Sequence, residues 1–564
     1  MTPTAPAPLK SHYSVLIIGA GINGCGTFRD LCLQGVDCLL IDRGDICGGA
    51  SAAPSRLIHG GIKYLETREF RLVRESAMER NRLLRNAPHY VKALETVFPS
   101  RSLFAGLVPA ALGFLGFNTT IKKRGAILIE LGLRIYDFYS RKVQALPDHY
   151  SMNKTRLHSE YPAITPDLIA AGVYNEGRVT HAERLGMELV QDGLAANPAS
   201  ALGTYTQVTG TKGRTLSLKH EVTGTVHEVT ADVIINAGGA WIDKVNAGMG
   251  IASRHMGGSK GAHLIVRNDA LVAALKGRML YFGTSDGRFN LIYPFFGNAL
   301  VGSTDIAVKD PDQAYCSTEE ADYLLNTVRE ILPDIKVSRD DVVLTYCGVR
   351  PLPRSEGKDI GVVTRDHAIA RDTLPGTDVP VLSLIGGKWT THRAFSEQSA
   401  DAVLALLKRA RKLTTEDLAI GGGRDYPKAD DARAAFVSGL AKTLGVDAAR
   451  ATLLFERYGT SATALKEAFA NGGSAPLYSL PHYSKGEIVH ICATENVCRL
   501  ADLLLRRTAV TMEGLLSDAA IRETADIAAP VLGWNTARRD AEIAFAAEEM
   551  SRRNVRNTRP QKAV

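Results

Sequence analysis

VLIIGAGINGCG, residues 15–26, decides the fold. The run Val15 to Ile18 is an apolar strand, and Gly19, Gly21 and Gly24 follow it in a G-x-G-x-x-G frame. In such a frame the first glycine permits a tight turn, the second lets the backbone approach a pyrophosphate, and the third lets helix and strand pack closely. The helix-like stretch that follows aims its N-terminal amides and positive dipole end at the phosphates. A second apolar strand, Cys38 to Ile41, leads to Asp42, whose carboxylate is placed to accept hydrogen bonds from a ribose hydroxyl. Strand, turn, helix, strand and acid together predict a βαβ dinucleotide-binding unit from Tyr13 to about Arg43.

The fingerprint alone leaves NAD and FAD open, and two distant segments favour FAD. DVIINAGGAW (Asp232 to Trp241, with Gly238) is an apolar strand entering a second glycine turn, as where a distant strand returns to the same sheet. VLSLIGGKWTTHR (Val381 to Arg393, with Gly387 and Thr390) repeats strand, Gly-Gly and helix start, so a second helix N-terminus is available to a flavin.

A chain of 564 residues exceeds what one core organises, so two or three domains are expected. With 45% hydrophobic and 23% charged residues the composition is that of an ordinary folded protein. A net charge of +7 suits an acidic small substrate or an anionic membrane surface. No nucleic-acid reading module is present in the text. The eight cysteines form neither a C-x-x-C pair nor a cluster with zinc spacing, so reduced thiols and no metal site are expected. Residues 1–12 read as a disordered lead-in without secretory character, which predicts a location on the cytoplasmic side.

Phe70 to about Ala87 reads as a charged surface helix ended by Pro88. Leu103 to Phe117 carries no charge, yet with Pro109 and three glycines it falls short of the roughly 20 apolar residues of a membrane span. The helix behind it is amphipathic: Glu130, Arg134, Asp137 and Arg141 share one face, and Ile127, Leu128, Leu131, Ile135 and Phe138 cover much of the remainder. Lys122, Lys123 and Arg124 border one end, Arg141 and Lys142 the other. Strand-like runs recur at 201–235, 291–303 and 341–364, and beyond Phe395 the text turns helical.

SRLIHGGIKYLE (Ser55 to Glu66), FRLVRESAMERNRLLRNAPH (Phe70 to His89), KGAHLIV (Lys260 to Val266), YPFFGNALVGSTD (Tyr293 to Asp305), CGVRPL (Cys347 to Leu352), TRDH (Thr364 to His367) and GGKWTT (Gly386 to Thr391) occur in that order. In these motifs the chain resembles the FAD-dependent glycerol-3-phosphate dehydrogenases, over about residues 13 to 540. The resemblance implies an α/β (α+β) fold: a Rossmann-like FAD-binding domain from 13–100, 150–255 and 345–400, and an inserted antiparallel-sheet substrate domain at 256–344. It also implies a helical C-terminal cap domain at 408–550, which contains LLLRRT (Leu503 to Thr508); the remaining segments are a membrane-associating region at 101–149 and a basic tail at 551–564.

Oxidising an alcohol with a flavin needs hydride transfer to the flavin and loss of the hydroxyl proton to a base. A phosphomonoester needs several cations around it. The resemblance supplies His263 as the base and Arg350 to orient the substrate oxygen. Lys63, Tyr64, Arg365 and Lys388 are implied to hold the phosphate. Ser51, Ser55 and His59 lie in the segment expected to run along FAD, which Gly19, Gly21, Gly24, Asp42, Gly238, Gly387 and Thr390 would also contact. The implied partners are sn-glycerol 3-phosphate, a quinone acceptor and the inner face of the cell membrane, with a homodimer also admitted. Two departures stand out. Lys63 replaces the family's usual Arg, which keeps another polyol phosphate, such as a tetritol phosphate, open as substrate, and Thr180-His181 replaces an acidic pair. Other readings remain beside this one: an oxygen-using oxidase, a flavin enzyme of amines, which the cations disfavour, and a flavin-binding redox sensor.

Overall fold

The computed structural model describes residues 9–61, 69–107, 109, 124–140, 145–354 and 366–560. Two sheets carry the first 400 residues. The first contains β1 (His12–Ile18), β2 (Cys38–Ile41), β7 (Ala201–Gly203), β8 (Thr206–Lys212), β9 (Thr215–His220), β10 (Val226–Asn236), β17 (Ala368–Thr373) and β18 (Pro380–Ile385). Its order is β17-β18-β10-β1-β2-β7, parallel except for β17. β1 sits centrally, with Leu16 in register with Leu39 on one side and Ile234 on the other.

The apolar run in β1 is buried on both faces. Val15 and Ile17 join the core under three helices, α1 (Ile22–Leu33), α4 (Ala182–Ala196) and α5 (His392–Leu406). Leu16 and Ile18 pack with Leu216 and Leu218 of the β8-β9 arm. Each such side chain contributes about 1.5–3 kcal/mol on burial. Helix α1 lies close to α4 because Gly193 has no side chain: a Cβ there would stand 2.8 Å from the Phe28 ring.

The second sheet holds β3 (Leu57–Ile58), β4 (Val91–Ser100), β5 (Tyr150–Asn153), β6 (Ala170–Val179), β11 (Ser259–Val266), β12 (Met279–Gly283), β13 (Phe289–Phe295), β14 (Asn298–Gly302), β15 (Ile306–Ala307) and β16 (Val342–Arg350). Its path runs β16-β11-β14-β13-β12-β4-β6, with β15 also on β11 and with β3 and β5 on β6. All pairs are antiparallel except β12 with β4. Its membership differs from the segment division expected from the sequence. β3, β4, β5 and β6, placed there with the FAD-binding domain, and β16, which straddles the expected boundary, belong to the same sheet as the strands of 256–344: β4 pairs with β12, β16 with β11, and β6 with β3, β4 and β5. Alternation tells that a segment is a strand but not which distant ladder it completes.

β11 is buried along its whole length, and alternation divides its side chains. Ala262, Leu264 and Val266 pack toward the helix Thr318–Ile331, which opens with a capping box between Ser317 and Glu320. Gly261, His263 and Ile265 face the other way.

Beyond β18 every regular element among the described residues is helical, and two further apolar cores centre on Leu454 with Phe455 and on Ile491 with Leu503. This C-terminal part docks through buried ion pairs. Arg184 of α4 makes a fork to Glu495 (2.7 and 2.8 Å), and Arg507 makes one to Asp45 (2.8 and 2.8 Å). All eight cysteines are free thiols. Among the described residues no group could hold a metal ion, and no helix is long and apolar enough to cross a membrane.

The amphipathic segment is a helix over Ala126–Ser140, α3. It is wedged by one face only. Ile129, Leu133 and Tyr136 are buried beside Tyr174 and against α2 (Phe70–Asn86), while Ile127, Leu131 and Phe138 are exposed, as are Leu103 and Phe104 nearby in sequence. Lys122, Lys123, Arg141 and Lys142 lie outside the described residues.

Candidate active site

Three backbone turns converge at the C-terminal ends of β1, β10 and β18. Gly19 has φ +111°, and a Cβ on it would stand 2.5 Å from the Ala237 carbonyl oxygen. A Cβ on Gly24 would lie 1.9 Å from the Gly19 carbonyl oxygen, so the turn closes only with glycine at both places. Gly21 differs. Its Cβ direction meets nothing within 4 Å except Ser51 Oγ at 3.3 Å, which leaves its backbone open to an approaching group.

Ser51 Oγ accepts the Ile22 amide (2.9 Å) and so ties the segment after β2 to the start of α1. Asp42 accepts from Ala20 N (2.7 Å) and Gly44 N (2.8 Å); burial raises its pKa against those two donors. Gly387, at φ +89°, comes so close to Asn23 that a Cβ would stand 2.6 Å from Nδ2. Asn23 Oδ1 is buried without a partner. Thr390 Oγ1 accepts the His59 amide (3.1 Å), and Gly239, next to Gly238, takes the left-handed conformation at φ +56°. An open glycine backbone at a helix N-terminus with an acid after the second strand fits the pyrophosphate and ribose of a dinucleotide.

The second sheet carries the histidine and the arginine that the resemblance implies for the chemistry. The register Ser259↔Arg350, Gly261↔Gly348 and His263↔Tyr346 sets these residues on one face. Arg350 lies back over Gly261, where a Cβ would stand 2.2 Å from Nη2. The guanidinium contacts Asp305 (3.1 Å), Ser303 Oγ (3.0 Å), Thr304 O (3.0 Å) and Ser259 Oγ (3.4 Å). His263 stacks on Tyr346 at 4.9 Å between ring centroids and 10° between planes, and a Cβ on Gly302 would stand 2.1 Å from its ring. Its Nε2 is 2.7 Å from Ser55 Oγ; Nδ1 is buried with no partner. Burial, then the charges of Arg350 and Arg56, push its pKa down to about 3. The ring is therefore neutral near pH 7, as a proton acceptor must be.

The segment 50–59 joins cradle and sheet. Tyr346 OH donates to Pro54 O (3.2 Å), Tyr293 OH to Ser55 O (3.0 Å), and Arg56 forks onto Glu183 (2.6 and 2.6 Å). Ser55, assigned in the sequence reading to the FAD segment, thus also contacts the histidine. Tyr346, Asp305 and Ser303 were not singled out from the sequence. The alternation Tyr346, Gly348, Arg350 in YCGVR was the available signal, because it puts the three on one face of a strand. Lys388 points at α2, with Nζ 2.7 Å from Ser76 Oγ. Lys63, Tyr64 and Arg365 lie outside the described residues. His181, at the departure noted above, is buried between the rings of Tyr90 and Phe296, and burial keeps it neutral.

A glycine-turn cradle facing a sheet that carries a neutral histidine and an arginine defines an FAD-dependent oxidoreductase. Residues 14–393 match the family model described as FAD dependent oxidoreductase, and 413–539 match the C-terminal domain of alpha-glycerophosphate oxidase. A glycerol-3-phosphate dehydrogenase from Synechocystis sp. is 31% identical, with 95% of this chain and 96% of that protein covered. Glycerol-3-phosphate dehydrogenase 2 of Mycobacterium tuberculosis is 28% identical, with 94% and 87% covered. A glycerol-3-phosphate dehydrogenase from Bacillus halodurans, solved with FAD, shares the fold at a TM-score of 0.75 and 22% identity, over 98% of this chain and 97% of that one. The chain belongs to the FAD-dependent glycerol-3-phosphate dehydrogenase family, and its cofactor is FAD.

Proposed function

We propose that this protein oxidises sn-glycerol 3-phosphate to dihydroxyacetone phosphate, with a quinone as the final electron acceptor. The observation that carries the reading is His263, neutral, buried and with one unpartnered nitrogen, beside Arg350 on the sheet face that segment 50–59 links to the cradle. Bound FAD supplies the hydride acceptor. In the tautomer with Nε2–H donating to Ser55 Oγ, Nδ1 is the bare nitrogen that takes the hydroxyl proton. Arg350 places cationic donors where negative charge develops on the substrate oxygen. Lys63, Tyr64, Arg365 and Lys388 are assigned to the phosphate, and Gly19, Gly21, Gly24, Asp42, Ser51, Ser55, His59, Gly238, Gly387 and Thr390 to FAD.

Anaerobic mixing of the purified flavoprotein with a panel of polyol phosphates, following loss of flavin absorbance, tests the reading. Glycerol 3-phosphate is expected to bleach the flavin fastest. Faster bleaching by a tetritol phosphate would move the assignment to the second reading, for which Lys63 in place of the usual Arg is the motive. Reoxidation by a soluble quinone analogue is expected to outpace reoxidation by oxygen. The reading includes peripheral attachment to the inner face of the cell membrane through α3 and its neighbours, which puts the protein next to a lipid-soluble acceptor.

A further inference from the structure

The loop after β2 is held from two sides. On one side Asp42 receives the amides of Ala20 and Gly44, and the Cys47 amide donates to Ala20 O (2.9 Å), so the loop is laced to the glycine turn. On the other side, three residues on, Asp45 points into the C-terminal domain. Its carboxylate is fully buried and takes the Arg507 fork together with Arg506 Nε at 2.5 Å. The two arginines are consecutive, in a widened π-helical turn over Leu503–Arg507. Arg507 Nε donates to Glu495 O (3.0 Å), and Arg506 Nη2 to Asp502 (2.5 Å). Asp502 accepts from Tyr205 OH (2.5 Å), and the Tyr205 amide donates to Gly44 O (2.8 Å), back in the same loop. The C-terminal domain therefore grips the cofactor loop twice, at Asp45 and through Tyr205.

A buried ion pair adds little net stability against well-packed apolar residues, but losing one partner strands a buried charge, so such a pair enforces one relative placement. Here the placement enforced is that of the loop carrying Asp42. Burial alone would raise the Asp45 pKa; the charges of Arg507 and Arg506 outweigh it and keep the carboxylate ionised.

We propose that Arg506 and Arg507 are positioning residues for the cofactor: docking of the C-terminal domain and binding of FAD are one linked equilibrium, joined through Asp45. Linkage is reciprocal, so whatever docking adds to FAD affinity, FAD adds to docking. The test uses apoprotein made by flavin removal and refilled by titration. Arg507→Lys keeps the charge but loses the fork, and Asp45→Asn keeps the shape but loses the charge. Each is expected to raise the FAD Kd about tenfold or more, and the double variant no further than the worse single one, because both remove the same interaction. In the wild-type protein, FAD loading is expected to slow amide exchange across 495–508 by a similar factor. A Kd within about twofold of wild type in both variants overturns the proposal, even if the domain has become more exchangeable, because the pairs would then be structural only. If the variants fail to fold, the wild-type exchange experiment decides: unchanged exchange at 495–508 on FAD loading overturns it.

Discussion

Two polar clusters in this molecule are built on opposite rules. Along the seam to the C-terminal domain the arginines meet carboxylates in two-point contact: Arg184 with Glu495, and Arg507 with Asp45. On the β11–β16 face the arrangement is different. Arg350 contacts Asp305, Ser303, Thr304 and Ser259 from a partly exposed position, and His263 has a buried nitrogen with no partner among the described residues. Where charge is fully answered the protein is fixing geometry. On the β11–β16 face a polar atom is left unanswered in the interior, at a cost of about 1–3 kcal/mol, beside the residues proposed to receive the substrate.

The contrast breaks if the seam proves dispensable. Glu495→Ala leaves the buried Arg184 guanidinium without its carboxylate, and is expected to lower stability by about 3–5 kcal/mol in urea unfolding of the FAD-loaded protein. His263→Ala removes a neutral ring whose needs were only half met, so its loss of stability is expected to be smaller. Its effect falls on chemistry: flavin reduction slows by about 10²-fold or more while FAD content stays the same. Equal losses of stability in the two variants would erase the distinction, and unchanged reduction kinetics would remove His263 from the chemistry.

A pH titration sharpens the same comparison. The folded-state pKa of His263, about 3, lies below the ordinary histidine value of about 6.5. As pH falls through that window the unfolded chain takes up a proton that the folded protein refuses, so the contribution of this group to stability is lost on acidification. The His263 ring resonance is expected to stay in its neutral position from pH 8 to about pH 5 in histidine-labelled protein. Because Arg350 is the second cause after burial, Arg350→Met is expected to move the titration upward. A midpoint near pH 6.5 in the wild-type protein would show the imidazole to be solvated.

The sequence made the cradle legible and the rest only by likeness, for a physical reason. Gly19, Gly21, Gly24 and Asp42 belong to one local unit: sterics demand glycine at Gly19 and Gly24, Gly21 leaves the backbone open, and Asp42 accepts two nearby amides. His263 and Arg350 become neighbours through strand register, and no local pattern encodes which strand β11 will pair with. The roles proposed for them therefore come from family motifs rather than from periodicity. The strands at 91–100 and 170–179 illustrate the same limit, since neither was read as a strand from the sequence and both, in segments expected with the FAD-binding domain, entered the other sheet. Asp45, Arg184 and Glu495 were invisible as a seam, because a charged residue in isolation reads as solvated surface and only tertiary pairing buries it.

The smallest effect on stability is expected at α3, where apolar side chains face outward. Leu131 and Phe138 are 52% and 66% exposed, while Ile129, Leu133 and Tyr136 on the opposite side do the packing. An exposed leucine or phenylalanine contributes little to the core, so Leu131→Glu with Phe138→Glu is expected to change unfolding stability by no more than about 0.5 kcal/mol. The same pair would place two carboxylates where an interfacial helix buries its apolar face among acyl chains, beside headgroups that are themselves anionic. Cosedimentation with anionic liposomes at low salt is therefore expected for the wild-type protein and not for the double variant, with FAD content equal in both. Half-buried Ile135 is the poorer site for such a test, because a charge there would disturb packing as well as lipid contact. If flavin-loaded wild-type protein stays in the supernatant, the outward apolar face serves something other than a membrane, and the proposed delivery of electrons to a lipid-soluble quinone loses its structural support.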